Sequence, residues 1–395
     1  MRLSASTACI ALFVAILAGC TTETVVSPQP SGTEGPDPAP GDDPSDPSTP
    51  KDPDTTNEAK APSVKLDATF KAISDAKNDI YAAVPAAGGK TYVALRKAGG
   101  AIGWGSGTLV RRYLASGTLD SSFGTQGEVS TVLVANPSGL GVDADGRVLV
   151  GGTGLYDPDV TSDTGREIVV LRLTGEGDVD TGYGRSGRAM LTYSAANTHT
   201  SALHVLSDGS VFVSAWGRTS GKETFGAFLV NPAGVGVSTF GTNGFLSSPF
   251  PVDGALAVGG EVLVPTTSGL MKYDAAGASK GAAIQAGIAQ VKVGKDGSYT
   301  AIAAGGEQLY LARFSKAGVA DASFDGPEIG EDFADFVVLA DNSVLYADAA
   351  GISWVGPKGG SPTVIAKDVA AQRLALTADG KLLVTSVGKV ARYTF

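Results

Sequence analysis

The sequence predicts an all-β fold built from a short repeat, carried behind a long polar N-terminal segment. Three observations predict it. Short alternating apolar runs dominate the chain beyond about residue 64, among them Val148-Leu149-Val150, Val211-Phe212-Val213, Val262-Leu263-Val264 and Leu382-Leu383-Val384. Period-two alternation between turn residues is the pattern of half-buried strands. Each run follows a tight-turn signal, and a second phrase carrying an aromatic residue recurs along the same stretch, which marks a repeat architecture.

The N-terminus reads as a leader. Arg2 supplies a short positive region, and residues 8–18 form an apolar run of 11 residues. That run is too short to span a bilayer but suits a signal-peptide core. Leu17-Ala18-Gly19-Cys20 follows. This string resembles the lipobox of bacterial lipoproteins. The resemblance implies cleavage after residue 19 and lipidation of Cys20, and Thr21 in place of an Asp implies the outer membrane. The other cysteine, Cys9, lies within the segment to be removed. The mature chain is therefore expected to have no intramolecular disulfide and no cysteine metal ligands.

Residues 20–63 read as a disordered tether. Ten of the 20 prolines fall between Pro28 and Pro62, and acidic residues outnumber Lys51 and Lys60 there. Such a composition buries too little apolar surface to offset the entropy of ordering. Proline and like charges extend it, so a spacer is expected in preference to a proline-rich docking motif.

Residues 64–395 carry the repeats. The first phrase is a turn leading into a strand: Asp145-Gly146, Asp208-Gly209, Gly259-Gly260, Asp296-Gly297, Asp341-Asn342 and Asp379-Gly380, with a looser copy at Asn78-Asp79. Asp-Gly between apolar strands predicts a hairpin with a type I′ turn. The second phrase is fullest at Leu119-Asp120-Ser121-Ser122-Phe123-Gly124-Thr125-Gln126-Gly127 and recurs around Tyr183, Phe240 and Phe324. These aromatics stand 60, 57 and 84 residues apart, and the long gap is expected to hold two short units, with a decayed copy near Ala275–Ala283.

The paired phrases resemble the delta-60 repeat of deltaproteobacteria. The resemblance implies a β-propeller and no particular reaction. Four strands to a blade and seven hairpin signals predict a seven-bladed ring, with six blades as the alternative. Leu66-Asp67-Ala68-Thr69-Phe70 is a further copy of the second phrase with nothing of its own unit before it, while Val390–Phe395 matches the strand that precedes that phrase elsewhere. The N- and C-terminal strands are therefore expected to share one blade and close the ring. Phe70, Phe123, Tyr183, Phe240 and Phe324 are expected in the core between blades.

Chemistry-bearing residues are few. His199, in the polar string Thr198-His199-Thr200, is read as a solvated loop residue, and His204 is the one other histidine. No His-x-x-x-His, Cys-x-x-Cys or phosphate-cradling loop is present, and no cofactor is implied. Aligned on the turns, the strands before each hairpin place apolar residues on one face and His204, Asp253, Gln290, Lys292, Asp335 and Arg373 on the other, near a central channel. The competing reading pairs Asp253 with Lys292, and Asp335 with Arg373, between successive blades. Asp157, Asp159 and Asp163 form a weak candidate for calcium without the EF-hand spacing.

The net charge of −10, with no basic stripe, argues against nucleic acid. These features together predict a monomeric envelope lipoprotein whose propeller binds a protein or glycan. The alternative is a propeller enzyme of glycosidase, lyase or lactonase type. A glycosidase would need two carboxylates about 5–10 Å apart, for which Asp253 and Asp335 are the candidates.

Overall fold

The computed structural model describes residues 59–98, 107–155, 166–192, 196–219, 222–248, 256–258, 261–266, 268–274, 276–305, 308–330 and 332–395. Cys20, the leader and nearly all of the tether lie outside them, as do Asp157, Asp159, Asp163 and Asp253. Among the described residues no helix is long and apolar enough to cross a membrane.

Two short strands, β1 (Lys65–Leu66) and β2 (Ile73–Ser74), come first. Blade 1 then holds β3 (Asp79–Pro85), β4 (Thr91–Arg96), β5 (Thr108–Tyr113) and β6 (Glu128–Thr131). Blade 2 holds β7 (Asn136–Val142), β8 (Val148–Leu155), β9 (Arg166–Leu173) and β10 (Arg188–Leu191). Blade 3 holds β11 (Ala196–Val205), β12 (Val211–Thr219), β13 (Lys222–Val230) and β14 (Leu246–Ser248). Blade 4 holds β15 (Leu256–Val258), β16 (Glu261–Thr266), β17 (Gly269–Asp274) and β18 (Ser279–Ile284). Blade 5 holds β19 (Ile288–Val293), β20 (Tyr299–Gly305), β21 (Gln308–Phe314) and β22 (Glu328–Ile329). Blade 6 holds β23 (Asp335–Val338), β24 (Val344–Asp348), β25 (Gly351–Gly356) and β26 (Gly359–Lys367). Blade 7 takes β27 (Ala371–Leu376), β28 (Leu382–Ser386) and β29 (Lys389–Thr394), and is completed by β1 and β2, both paired with β29. Every blade is an antiparallel sheet, and first strands touch at the seams of blades 1–2, 2–3, 4–5, 5–6, 6–7 and 7–1, where β27 meets β3. The fold is a seven-bladed β-propeller closed by the two ends of the described chain, as the repeats predict.

The turn chemistry differs from expectation in form. Val142 pairs with Val148, the Asp143 N–H donates to the Arg147 carbonyl, and the Gly146 N–H donates to Asp143. The loop is thus three residues with one positive φ, +79° at Gly146. This is a type I turn followed by a left-handed residue, where a type I′ turn would need two positive φ values. At the copy without glycine, Asn342 takes φ +64°. The hairpin of blade 1 is a correction. It lies at Ala87–Gly89, between β3 and β4, and not at Asn78-Asp79. Asp75 accepts the N–H groups of Lys77 and Asn78 there, a side-chain turn that leads into β3.

The core lies between blades, since each sheet offers one face to each neighbour. Phe123, Tyr183 and Phe240 are fully buried, and Phe70 and Phe324 nearly so. Four of these rings sit under a guanidinium: Arg112 over Phe123, Arg172 over Tyr183, Arg313 over Phe324 and Arg392 over Phe70, at 4.2–5.0 Å from ring centroid to guanidinium carbon. In three copies the arginine Nε also donates to the aspartate of the repeat phrase, Asp120, Asp180 and Asp67, at 2.8, 2.8 and 2.7 Å. The Nη1 group then crosses the seam. Arg172 donates to the Pro232 carbonyl of blade 3 at 2.8 Å, Arg112 to Gly175 of blade 2, and Arg313 to Pro357 of blade 6. Beside each arginine the backbones meet. The Gly184 N–H donates to the Ala233 carbonyl at 2.7 Å, and a Cβ added at Gly234 would come within 2.4 Å of the Gly184 nitrogen. Glycine at this position is what lets two blades approach that closely.

Candidate functional site

Of the residues that the alternation singles out, His204, Gln290, Lys292, Asp335 and Arg373 lie on first strands, and Asp253 lies outside the described residues. Their apolar partners pack as expected: Leu140 and Val142, Leu203 and Val205, Val291 and Val293, Phe336 and Val338, and Leu374 and Leu376 all lie in hydrophobic clusters. The other face meets the next blade. A Cβ on Gly139 or Gly141 of β7 would strike Leu203 or Val205 of β11 within 2.4 Å, so glycine here sets the blade 2–blade 3 spacing.

Gln290, Lys292 and Asp335 come together where blades 5 and 6 meet. Gln290 Nε2 donates to Asp335 Oδ1 at 3.3 Å, and Lys292 Nζ stands 3.5 Å from the same oxygen. Asp335 Oδ1 also accepts the N–H of Phe336, and Oδ2 accepts the N–H of Leu374 in β27, both at 2.9 Å. One carboxylate, 4% exposed, thereby ties three inner strands. Its ammonium neighbour is Lys292, with blade 5, where the sequence alternatives set Asp335 against Arg373. Arg373 lies half-buried on β27, and His204 half-buried on β11.

His199 is not in a loop. Strand β11 is ten residues long, and the His199 imidazole stacks on Trp216 of β12 with centroids 4.7 Å apart and planes 24° apart. Sequence reading misses this because Asn197-Thr198-His199-Thr200 is polar, whereas the unusually long β11–β12 ribbon makes it a strand. It also passes over Gly277-Ala278-Ser279-Lys280-Gly281, which matches the Gly-x-Ser-x-Gly pattern letter for letter. Ser279 is exposed on the outer strand β18, and no helix follows it. The strand-to-helix elbow that activates such a serine is missing from this stretch. Among the described residues no group of three or more His, Cys, Asp or Glu side chains is placed to hold a metal ion.

A second polar site has no counterpart in the sequence reading. Between blades 5 and 6, a hollow of about 450 Å³ is lined by Asp296, Ser298, Arg313, Ser315, Asp321 and Asn342, together with Phe314, Val319 and Ala320. Here the arginine–aspartate pair found at Arg112, Arg172 and Arg392 is open. Asp321 Oδ1 accepts the N–H and Oγ–H of Ser323, at 3.0 and 2.6 Å, as Asp120 accepts those of Ser122, but Oδ2 receives no guanidinium. Hydrogen bonds from Ser323 hold its carboxyl below the ordinary aspartate range. Arg313 sends Nη1 to Pro357 and Nη2 to the Asn342 carbonyl, which leaves buried Nε without an acceptor. Burial lowers the pKa of this guanidinium. Asn342 donates Nδ2 to Asp296 Oδ2 at 2.9 Å, and its buried Oδ1 has no donor.

Comparison with known proteins bears on the fold alone. No family model matches the chain, and no curated protein matches it in sequence. Among solved structures, a catalytically inactive virginiamycin B lyase from Staphylococcus aureus, bound to quinupristin, is similar with a TM-score of 0.51. It is 11% identical, and the match covers 84% of this chain and 99% of that one. The CNH domain of AfRom2 is similar at a TM-score of 0.48 and 8% identity, over 84% of this chain and 98% of that domain. A puromycin hydrolase is similar at 0.47 and 15%, over 81% of this chain, which spans 52% of the hydrolase.

Proposed function

We propose that this chain is an envelope lipoprotein, anchored through Cys20 in the outer membrane, that displays its propeller as a non-enzymatic binding module. One observation carries the binding reading. Asp335, the inner-ring carboxylate on which a glycosidase mechanism would rest, has both oxygens committed to Gln290, Lys292 and the N–H groups of Phe336 and Leu374. A carboxylate so engaged braces strands and is poorly placed to act as acid or nucleophile. Its proposed partner in catalysis, Asp253, lies outside the described residues. A rigid ring with loops at its ends suits recognition, because binding residues concentrate on loops held by a rigid scaffold. The leader, the lipobox-like string and the proline-rich spacer support display away from a membrane.

The test is retention of an envelope component by the purified full-length chain. A saturable partner, protein or glycan, held at micromolar concentration is expected. Turnover of a glycoside or lactone panel, abolished by Asp335→Asn with the fold intact, would favour the enzyme reading instead.

A further inference from the structure

We propose that the hollow between blades 5 and 6 is a binding subsite for a neutral polyhydroxylated ligand, a saccharide. This deepens the binding-module reading and rests on it. The other stapled seams show what is unusual here. At Arg112, Arg172 and Arg392 the guanidinium Nε is satisfied by an aspartate of its own blade. At Arg313 the aspartate keeps the contact with the residue two positions on that every copy makes, but its Oδ2 takes no bond from the guanidinium, and a buried Nε–H is left facing no acceptor in a residue only 9% exposed.

An unmade buried hydrogen bond costs about 1–3 kcal/mol, more for a charged group, so the site gains from any ligand that supplies an acceptor. Asn342 adds the complementary need. Its Nδ2 is oriented by the Asp296 carboxylate, which fixes Oδ1 as the group without a donor. The residues that carry this buried donor and this buried acceptor, Arg313 and Asn342, both line the hollow.

Charge selects the ligand class. Two carboxylates, Asp296 and Asp321, stand with one guanidinium, so an anion is repelled at the mouth, while a cation must face Arg313. A hydroxyl group both accepts and donates. A neutral ligand bearing neighbouring hydroxyls can take the Arg313 Nε–H, give to Asn342 Oδ1, and give again to Asp321 Oδ2. The volume, about 450 Å³, falls within the range of about 300–1,000 Å³ usual for small-ligand pockets.

The experiment is saturation-transfer NMR on the full-length chain in a detergent without sugar headgroups. The probes are glucose, galactose and N-acetylglucosamine, with acetate and putrescine as charged controls. At least one saccharide is expected to bind, and the controls are not. Asn342→Gly suits the positive φ at this turn while removing the amide, and is expected to weaken saccharide binding by roughly tenfold, about 1.4 kcal/mol. Asp321→Asn, on the exposed side of the hollow, is expected to weaken it as well. Arg172→Met, at the matching staple of the blade 2–blade 3 seam, is expected to leave it unchanged. The proposal is overturned if no saccharide binds, if the charged controls bind in their place, or if both hollow variants bind as the unaltered chain does. Those outcomes leave the binding-module reading standing, because retention of an envelope partner elsewhere on the ring is measured separately.

Discussion

Arg112 in blade 1 and Leu229 in blade 3 hold the same place in the repeat. The N–H of Asp120 donates to the Arg112 carbonyl at 2.9 Å, and that of Val237 to Leu229 at 2.8 Å. Where arginine becomes leucine, aspartate becomes valine, and the aromatic beside it, Phe240, remains fully buried. The molecule thus contains both an ionic and an apolar solution to one packing problem. Replacing a buried ion pair by apolar residues is often neutral, whereas removing one partner costs about 3–5 kcal/mol. Arg112→Leu alone is expected to lower stability by about 1–3 kcal/mol in chemical denaturation, because buried Asp120 loses its guanidinium but keeps Lys90, at 3.1 Å, as a charged partner. Arg112→Leu with Asp120→Val is expected to recover most of the loss. Equal losses in the single and double variants would contradict this. The aromatic of the phrase was legible from sequence because its spacing is regular. The arginine eight residues before the aspartate was not, since in sequence it looks like any outward charge on a strand.

At the scale of the element, the ring clasp decides stability. Strand β29 would be an exposed edge without β1 and β2, which pair with it at Lys65, Leu66, Ile73 and Ser74. Asp67 locks the seam, 325 residues from its partner Arg392 and 3.2 Å from Lys381. Deleting residues 65–74 is expected to expose that edge and cause aggregation, seen as loss of the monomer peak in size-exclusion chromatography. Hydrogen bonding from Thr69 holds the Asp67 carboxyl well below its usual range, against the opposing effect of burial, with Arg392 and Lys381 helping. A lowered folded pKa gives stability that is complete above the unfolded value of about 3.9 and is lost as pH falls through the folded value. The melting temperature is therefore expected to decline as pH drops below about 4, less steeply in Asp67→Asn. The clasp could be read from sequence because an orphan copy of the phrase stands at Leu66. The first hairpin could not, because Ala87–Gly89 lacks an aspartate while Asp75 builds a competing turn nearby. Blade 4 was blurred because its aromatic phrase has decayed, so that Phe240 and Phe324 stand two units apart. The glycines at the blade contacts, Gly117, Gly177, Gly234, Gly277 and Gly318, keep the register through that gap, and backbone proximity is the reason.

At the scale of the whole molecule, seven sheets make a closed disc in which Asp335 braces three inner strands, and Arg313 Nε and Asn342 Oδ1 at the seam between blades 5 and 6 are buried without partners. The inner-ring carboxylate was visible in the alternation of Asp335 with Phe336. The gap at Arg313 was not, because Arg313 and Asp321 match their counterparts in sequence and differ only in the missing Nε–Oδ2 bond. What the disc is for depends on how it is held. The most direct measurement is fractionation of cells producing the unaltered chain and Cys20→Ser. The unaltered chain is expected in the outer-membrane fraction, extracted only by detergent, and Cys20→Ser in the soluble fraction with its propeller folded. Equal distribution of the two between membrane and soluble fractions would contradict the account of an anchored binding module.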